Sequence, residues 1–255
     1  MSLILSNVSS EGLFTITLNR SEALNALNKK MINQLTDLLA DNFNNKKINC
    51  LLLNSNDKKS FCVGADLKER KGMSNDEVIA QLDIQNKLMI ALQNFPCPTI
   101  AYVNGYALGG GCELALACDL RYSGENAMFA LPEVGLGIIP GAGGTQRLTK
   151  IVGPSVAKEI IFSGSKLNAQ KAFDLKLINN ILSIEDLDKK LGEILSKAPL
   201  ALRCAKQAID QGLNLDLDSG FKVEKKQYLK LLDTKDRVEA LTAFSEKRKA
   251  NFIGE

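Results

Sequence analysis

The sequence predicts an α/β layered domain followed by a helical tail, and three observations carry that expectation. Short apolar runs with strand character come in pairs, runs with helical spacing separate the pairs, and strand character disappears from about Ala198 onward. With 255 residues, 45% of them apolar, the chain can bury one large core, with or without an appendage. The expected division is a core over residues 1–197 and a helical region over residues 198–255.

Residues 3–8 and 13–18 are expected as strands joined by the polar turn Ser9-Ser10-Glu11-Gly12. Met31, Ile32, Leu35, Leu38 and Leu39 keep helical spacing with Asn and Lys on the other side. Residues 50–53 suit a buried strand, followed by a polar turn. Ser74-Asn75-Asp76-Glu77 is a capping-box signature, and the helix it opens stops before Pro96. Residues 99–103 suit a second buried strand, and a short apolar helix starts at Gly110. Residues 120–122 and 127–129 are expected as strands. In the tail, residues 199–212, 215–232 and 235–249 are expected as helices, whose apolar stripes need a partner in the core or in another subunit.

Composition narrows the chemistry. The chain has no histidine, which excludes Ser-His-Asp and Cys-His catalysis and histidine metal sites. Proton transfer near neutral pH then falls to carboxylates, Cys, Lys or Tyr. A net charge of +3 makes no case for nucleic acid or an anionic membrane as partner. The six cysteines include no C-x-x-C pair and sit mostly among apolar neighbours, which suits reduced core thiols in a reducing compartment rather than zinc ligands. No basic n-region opens the sequence and no run approaches a membrane span, so a cytoplasmic protein is expected.

Two segments set a carboxylate beside glycines in apolar surroundings: residues 105–115, with Gly109-Gly110-Gly111-Cys112-Glu113, and residues 131–137, with Pro132-Glu133. Glycines at a helix start leave backbone N–H groups open to a ligand. The spacing fits neither phosphate-loop pattern, and a following Glu would repel phosphate. Taken singly, Glu113 could merely stabilise a helix N-terminus and Glu133 could be a solvated loop residue. Together they are the parts needed to activate water against a polarised carbonyl compound. Phe61-Cys62-Val63-Gly64-Ala65-Asp66-Leu67-Lys68 is either a surface turn or the source of a second N–H donor, from Ala65, facing that of Gly110. Lys68, with Arg70-Lys71, could hold phosphates. Gly141-Ala142-Gly143-Gly144 repeats the theme of open amides before a helix.

On residues 61–70, 98–119, 132–148 and 243–252, the chain resembles the enoyl-CoA hydratase/isomerase, or crotonase, superfamily over essentially its whole length. Its motifs are most similar to enoyl-CoA hydratase and to the methylglutaconyl-CoA hydratase/AU-rich-RNA-binding branch. The resemblance implies a ClpP-like superhelix of repeated strand–strand–helix units with a C-terminal trimerisation region. It implies that Glu113 and Glu133 hold the attacking water with help from the Gly141 amide, and that the Ala65 and Gly110 amides receive the thioester oxygen. Ala65, Asp66, Leu67 and Lys68 would line the acyl-CoA site, with Ala23 and Leu24 near the adenosine. Phe244 and Lys247 would approach coenzyme A from a neighbouring subunit of a homotrimer or hexamer. The implied activity is hydration of an enoyl-CoA thioester in lipid metabolism, coenzyme A being part of the substrate and no separate cofactor or metal being needed. Methylglutaconyl-CoA hydration and double-bond isomerisation remain alternatives on the same fold. The RNA-binding member has a lysine-rich first helix; here lysine stands only at that helix's start, at Lys29 and Lys30, so nucleic acid is not an expected partner.

Overall fold

Successive strands of the core go to two different sheets, and that alternation sets the architecture. The computed structural model describes residues 2–255; Met1, the first residue of the expected core region, lies outside them. A hairpin of β1 (Ile4–Val8) and β2 (Leu13–Leu18) precedes α1 (Lys29–Asn42). Then come β3 (Cys50–Ser55), β4 (Ser60–Cys62), α2 (Leu67–Arg70) and α3 (Asn75–Gln93). The strands β5 (Thr99–Val103) and β6 (Tyr106–Leu108) lead into α4 (Gly110–Leu116). Next, β7 (Leu120–Ser123) and β8 (Met128–Ala130) lead through a 3-10 turn at Glu133–Leu136 to α5 (Gly144–Val152) and α6 (Pro154–Ser163). The core ends with β9 (Leu167–Asn168), α7 (Ala169–Asp174), β10 (Asn180–Ile181) and α8 (Ile184–Leu195). The tail is α9 (Pro199–Gly212), α10 (Leu217–Leu229) and α11 (Lys235–Ser245).

In the pairs β3–β4, β5–β6 and β7–β8 the first strand joins a large sheet of order β1-β2-β3-β5-β7-β10 and the second joins a small sheet of order β4-β6-β8-β9, while β9 and β10 come in the reverse order. Both are parallel except at the β1–β2 and β8–β9 pairings. The strand–strand–helix rhythm of the sequence is thus a superhelix in which each turn after the first hairpin feeds both sheets. Strand β3 is buried on both faces, which explains its unbroken apolar run. Leu51 and Leu53 face the main core, while Cys50 and Leu52 pack with Leu187 and Leu191 of α8. The capping box at Ser74 and Glu77 forms as expected. All six cysteines are free; five are buried and Cys204 is half-buried.

Helix α9 has its expected bounds, whereas α10 and α11 differ from expectation at their ends, for identifiable reasons. Helix α10 starts at Leu217 because Asp216 caps it, accepting from the Ser219 N–H at 2.9 Å. Helix α11 stops at Ser245 rather than running on to Lys249. Lys247 turns left-handed, with φ 54°, and the Lys247 and Arg248 amides bond back to Phe244 and Ala243 in a Schellman-type ending. Helix α9 is tied to the core: Lys206 pairs with Asp119 at 2.8 Å and Arg203 donates to the Ile48 carbonyl at 2.7 Å. Yet Ile209, Leu213, Phe221, Tyr228, Val238 and Leu241 remain exposed along the tail. No described helix is long and apolar enough to cross a membrane.

Candidate active site

The site forms where the ends of β4, β6 and β8 meet. After β4 the chain runs through Gly64 to Ala65, which makes a parallel bridge with Leu27. In that bridge the Leu27 N–H donates to Gly64 at 2.7 Å and the Asp66 N–H donates to Leu27 at 3.1 Å. Ala65's own N–H therefore points the other way, towards the start of α4. The approach there is close. A Cβ on Gly64 would stand 2.9 Å from the Gly110 nitrogen, and one on Gly111 would collide with the Cys62 carbonyl. Glycine is thus required for packing. A Cβ on Gly110 would lie 3.7 Å from the Ala65 nitrogen. Among the described residues, neither the Ala65 nor the Gly110 N–H has a protein acceptor. Two open amides thus stand side by side, as expected.

Glu113, in the first turn of α4, is buried. Its Oε1 accepts from the Ala142 and Gly144 amides, both at 2.8 Å. The loop before α5 is therefore a cradle for a carboxylate. The Gly141 amide is not one of the two that reach Glu113, and the Gly141 carbonyl accepts from Asn86 at 3.2 Å. Burial pushes the Glu113 carboxyl up, opposed by these amides and by the positive charge of Arg147.

Glu133 is buried at the start of the 3-10 turn that follows β8, not solvated. A Cβ on Gly109 would lie 3.0 Å from its Oε1, so it sits against the turn into α4. Its Oε2 is buried without a protein partner. Burial and the negative charge of Glu113 push its carboxyl up to about 7. The two glutamates thus influence one another electrostatically from unlike settings.

The other expected site residues divide into two groups. Leu24 adjoins the site, its carbonyl accepting from Ser60 Oγ at 2.8 Å and from the Val63 amide at 3.3 Å. Ala23 lies beside it in a 3-10 turn. Leu67 and Lys68 are exposed on α2. Asp66 is occupied otherwise: it caps α2 and pairs with Arg20 at 2.7 Å. Burial would raise its carboxyl, but Arg20 and the Glu69 and Lys68 amides outweigh that and hold it below the usual range. Phe244 and Lys247 stand at the end of the tail, Phe244 at 87% exposure.

Sequence reasoning missed Asn25, which is fully buried and holds the Ala23–Leu24 turn. Its Nδ2 donates to Ser55 Oγ at 2.7 Å and to the Phe61 carbonyl at 3.1 Å, and its Oδ1 accepts from the Arg20 amide at 2.7 Å. Arg147 and Asn86 were missed too. A signal for Arg147 was present: it follows Gly143 by four residues at a helix start, the spacing that returns a side chain to the preceding loop.

Comparison with known proteins places the chain in a family. A family model described as enoyl-CoA hydratase/isomerase matches residues 9–255. The chain is 40% identical over 247 residues to a crotonyl-CoA hydratase of Syntrophomonas wolfei, covering 95% of each. It is also 40% identical over 255 residues to the mitochondrial methylglutaconyl-CoA hydratase of Mus musculus, covering 96% of this chain and 80% of that one. The crystal structure of an enoyl-CoA hydratase from Bacillus anthracis superposes with a TM-score of 0.96 at 38% identity, covering all of both chains.

Proposed function

The chain belongs to the enoyl-CoA hydratase/isomerase, or crotonase, superfamily, and from that premise we propose that it is an enoyl-CoA hydratase, adding water across the 2,3 double bond of an enoyl-CoA thioester. The observation that carries this reading is the pair of buried carboxylates, Glu113 and Glu133, beside the open amides of Ala65 and Gly110.

Each part has a role in that chemistry. The Ala65 and Gly110 amides receive the thioester oxygen, where negative charge collects as the enolate forms. Glu113 is the base. Two amides on Oε1 favour its ionised form and leave Oε2 to take the proton of the water that attacks C3. Glu133 is the acid. Its carboxyl, raised to about 7, holds a proton near neutral pH and delivers it to C2. The Gly141 amide helps position the water. As the water oxygen bonds C3, the C2=C3 pair becomes the C1=C2 bond of the enolate and the carbonyl pair goes to the thioester oxygen; on collapse the carbonyl re-forms and the C1=C2 pair takes the proton at C2. Neither a metal nor a redox group enters these steps.

Coenzyme A binds along Ala23, Leu24 and the start of α2, where Leu67 and Lys68 are exposed. Phe244 and Lys247 meet it from a neighbouring subunit of a trimer or hexamer. A cytoplasmic location is part of the same proposal, supported by six free thiols.

An isomerase shuttles a proton with one base, so the presence of both carboxylates favours hydration. The 40% identity to a methylglutaconyl-CoA hydratase makes that branched, acidic substrate the second reading. Kinetics on crotonyl-CoA, longer enoyl-CoAs and 3-methylglutaconyl-CoA, with an RNA gel-shift alongside, test the assignment. Absence of hydration on every enoyl-CoA would overturn it.

A further inference from the structure

Arg147 projects from the first turns of α5 back towards the loop that cradles Glu113. Its Nη1 donates to the Ala142 carbonyl at 3.0 Å and its Nε donates to Gln93 Oε1 at 2.9 Å. The guanidinium folds over Gly143, whose φ is 97°, and a Cβ there would collide with Nη1. Only glycine permits that arrangement. Helix α3 holds the same loop at a second point. Asn86 Nδ2 donates to the Gly141 carbonyl, and the peptide bearing that carbonyl also bears the Ala142 N–H that donates to Glu113. Donation into the carbonyl end of a peptide strengthens donation from its N–H end.

We propose that Arg147, braced by Gln93, is a positioning residue: it fixes the Ala142 and Gly144 amides on Glu113 and supplies the positive charge that keeps this carboxylate ionised for water activation. The catalytic consequence rests on the hydratase reading; the effect on Glu113 itself does not. Glu113 needs such help because burial works against its charge. The titratable groups that act with it are Glu133 from the turn after β8, Arg147 from α5, and the buried thiol Cys112 on its own helix; Arg121 of β7 acts on Cys112 but not on Glu113. Towards the loop, α3 presents neutral Leu82 and Asn86. Arg147 is thus the one cation among these groups. The influence is mutual: burial pulls the Arg147 guanidinium down, and Glu113 opposes that.

The sign of the effect is fixed. A base must be ionised to work, so the rate falls on the acid side as Glu113 takes up a proton. Removing the nearby positive charge raises the carboxyl, and the acidic limb moves to higher pH.

The test is the pH profile of kcat/KM for crotonyl-CoA hydration in the wild type, Arg147→Gln and Arg147→Lys. A second arm needs no substrate: titration of the Glu113 carboxyl by carbon-13 NMR, assigned through Glu113→Gln. In Arg147→Gln the acidic limb and the NMR titration should both move up by about one pH unit, with kcat falling more than KM rises. Arg147→Lys should bring the limb back towards the wild-type position while still losing rate, because one ammonium cannot bond both Ala142 and Gln93. A folded Arg147→Gln with its Glu113 titration unmoved, and its rate lowered equally at every pH, would overturn the proposal. Should that variant not fold, Gln93→Leu decides, with an upward shift supporting the proposal and an unmoved titration overturning it. If the wild type hydrates nothing, the hydratase reading fails, and the NMR arm still decides the role of Arg147.

Discussion

Glu113 and Glu133 come from different strand–strand–helix units, and the charge on Glu113 adds to burial in pushing Glu133 up to about 7. Two amides satisfy one oxygen of Glu113, while a buried oxygen of Glu133 has no protein partner. Chemically identical side chains are thereby set apart: burial raises both, but amides and Arg147 oppose the rise at Glu113, whereas the charge on Glu113 adds to it at Glu133.

Glu113→Gln and Glu133→Gln should each lower kcat by about 10²–10⁴ at neutral pH, the usual worth of a positioned acid or base. The amide keeps the shape of the side chain and cannot transfer the proton. Steady-state kinetics check this, with circular dichroism to confirm folding. Near-normal turnover in either variant would sink the two-carboxylate mechanism.

The same carboxyl should leave a mark on stability. Glu133 titrates at about 7 in the folded chain against an ordinary 4.5. The folded state holds the proton more tightly, so stability is highest below about 4.5 and declines as pH rises to 7, by about 3 kcal/mol. Glu133→Gln removes that decline. Its melting temperature should exceed the wild type's by several degrees at pH 8, and the gap should narrow towards pH 5. A gap that does not change with pH would mean that Glu133 is not held protonated by its surroundings.

Gly110→Pro isolates the proposed oxyanion donor. Gly110 is the first residue of α4, where proline is tolerated because the N–H has no helical acceptor. The variant should fold and lose about 10²–10³ in kcat. Retained activity in a folded variant would exclude this amide as a donor.

How much of this was legible in the sequence depends on the range of the interactions involved. Paired strands, the Ser74 capping box and the carboxylates beside glycine turns are local patterns, and the structure keeps them. Sheet membership is not local: nothing in Ser60-Phe61-Cys62 says that it pairs with Tyr106–Leu108 rather than with its neighbour β3. The short strands β9 and β10 have two residues each and carry no periodicity to read. Asn25 was illegible for a related reason. A polar residue declares itself as a clamp only when its partners, such as Ser55 and Phe61 for Asn25, arrive from elsewhere in the chain. The Gly141-to-Gly144 loop shows the intermediate case. Its open amides were expected, but that Ala142 and Gly144 serve Glu113 follows from helix α4 meeting α5.

Asn25→Ala should destabilise the chain by about 2–3 kcal/mol, since it strands buried partners on three segments. It should also raise KM for the CoA substrate more than it lowers kcat, because the turn at Ala23 and Leu24 lies beside the loop leading to Ala65 rather than at the carboxylates. Thermal melts and steady-state kinetics check both. An unchanged KM in a folded variant would separate that turn from coenzyme A binding.

The exposed apolar face of the tail calls for a partner. Val238, Leu241 and Phe244 lie on α11 at 59%, 61% and 87% exposure, and Phe221 and Tyr228 are exposed on α10. Burying a side chain of this size contributes about 1.5–3 kcal/mol, so the cost of leaving several in water is large beside a typical folding stability. Self-association is the outcome expected from that surface, with Phe244 stacking on adenine and Lys247 meeting phosphate across the boundary. The double variant Val238→Asp, Leu241→Asp should shift light scattering from a trimer or hexamer towards the monomer and weaken CoA binding. The fold should survive it, because both side chains are exposed and α9 holds the tail to the core through Lys206 and Arg203. Phe244→Ala should weaken CoA binding and should loosen the assembly less than the double variant does. An intact chain that scatters as a monomer, or a Phe244→Ala variant that binds CoA at full strength, would show that the tail is no part of the substrate site.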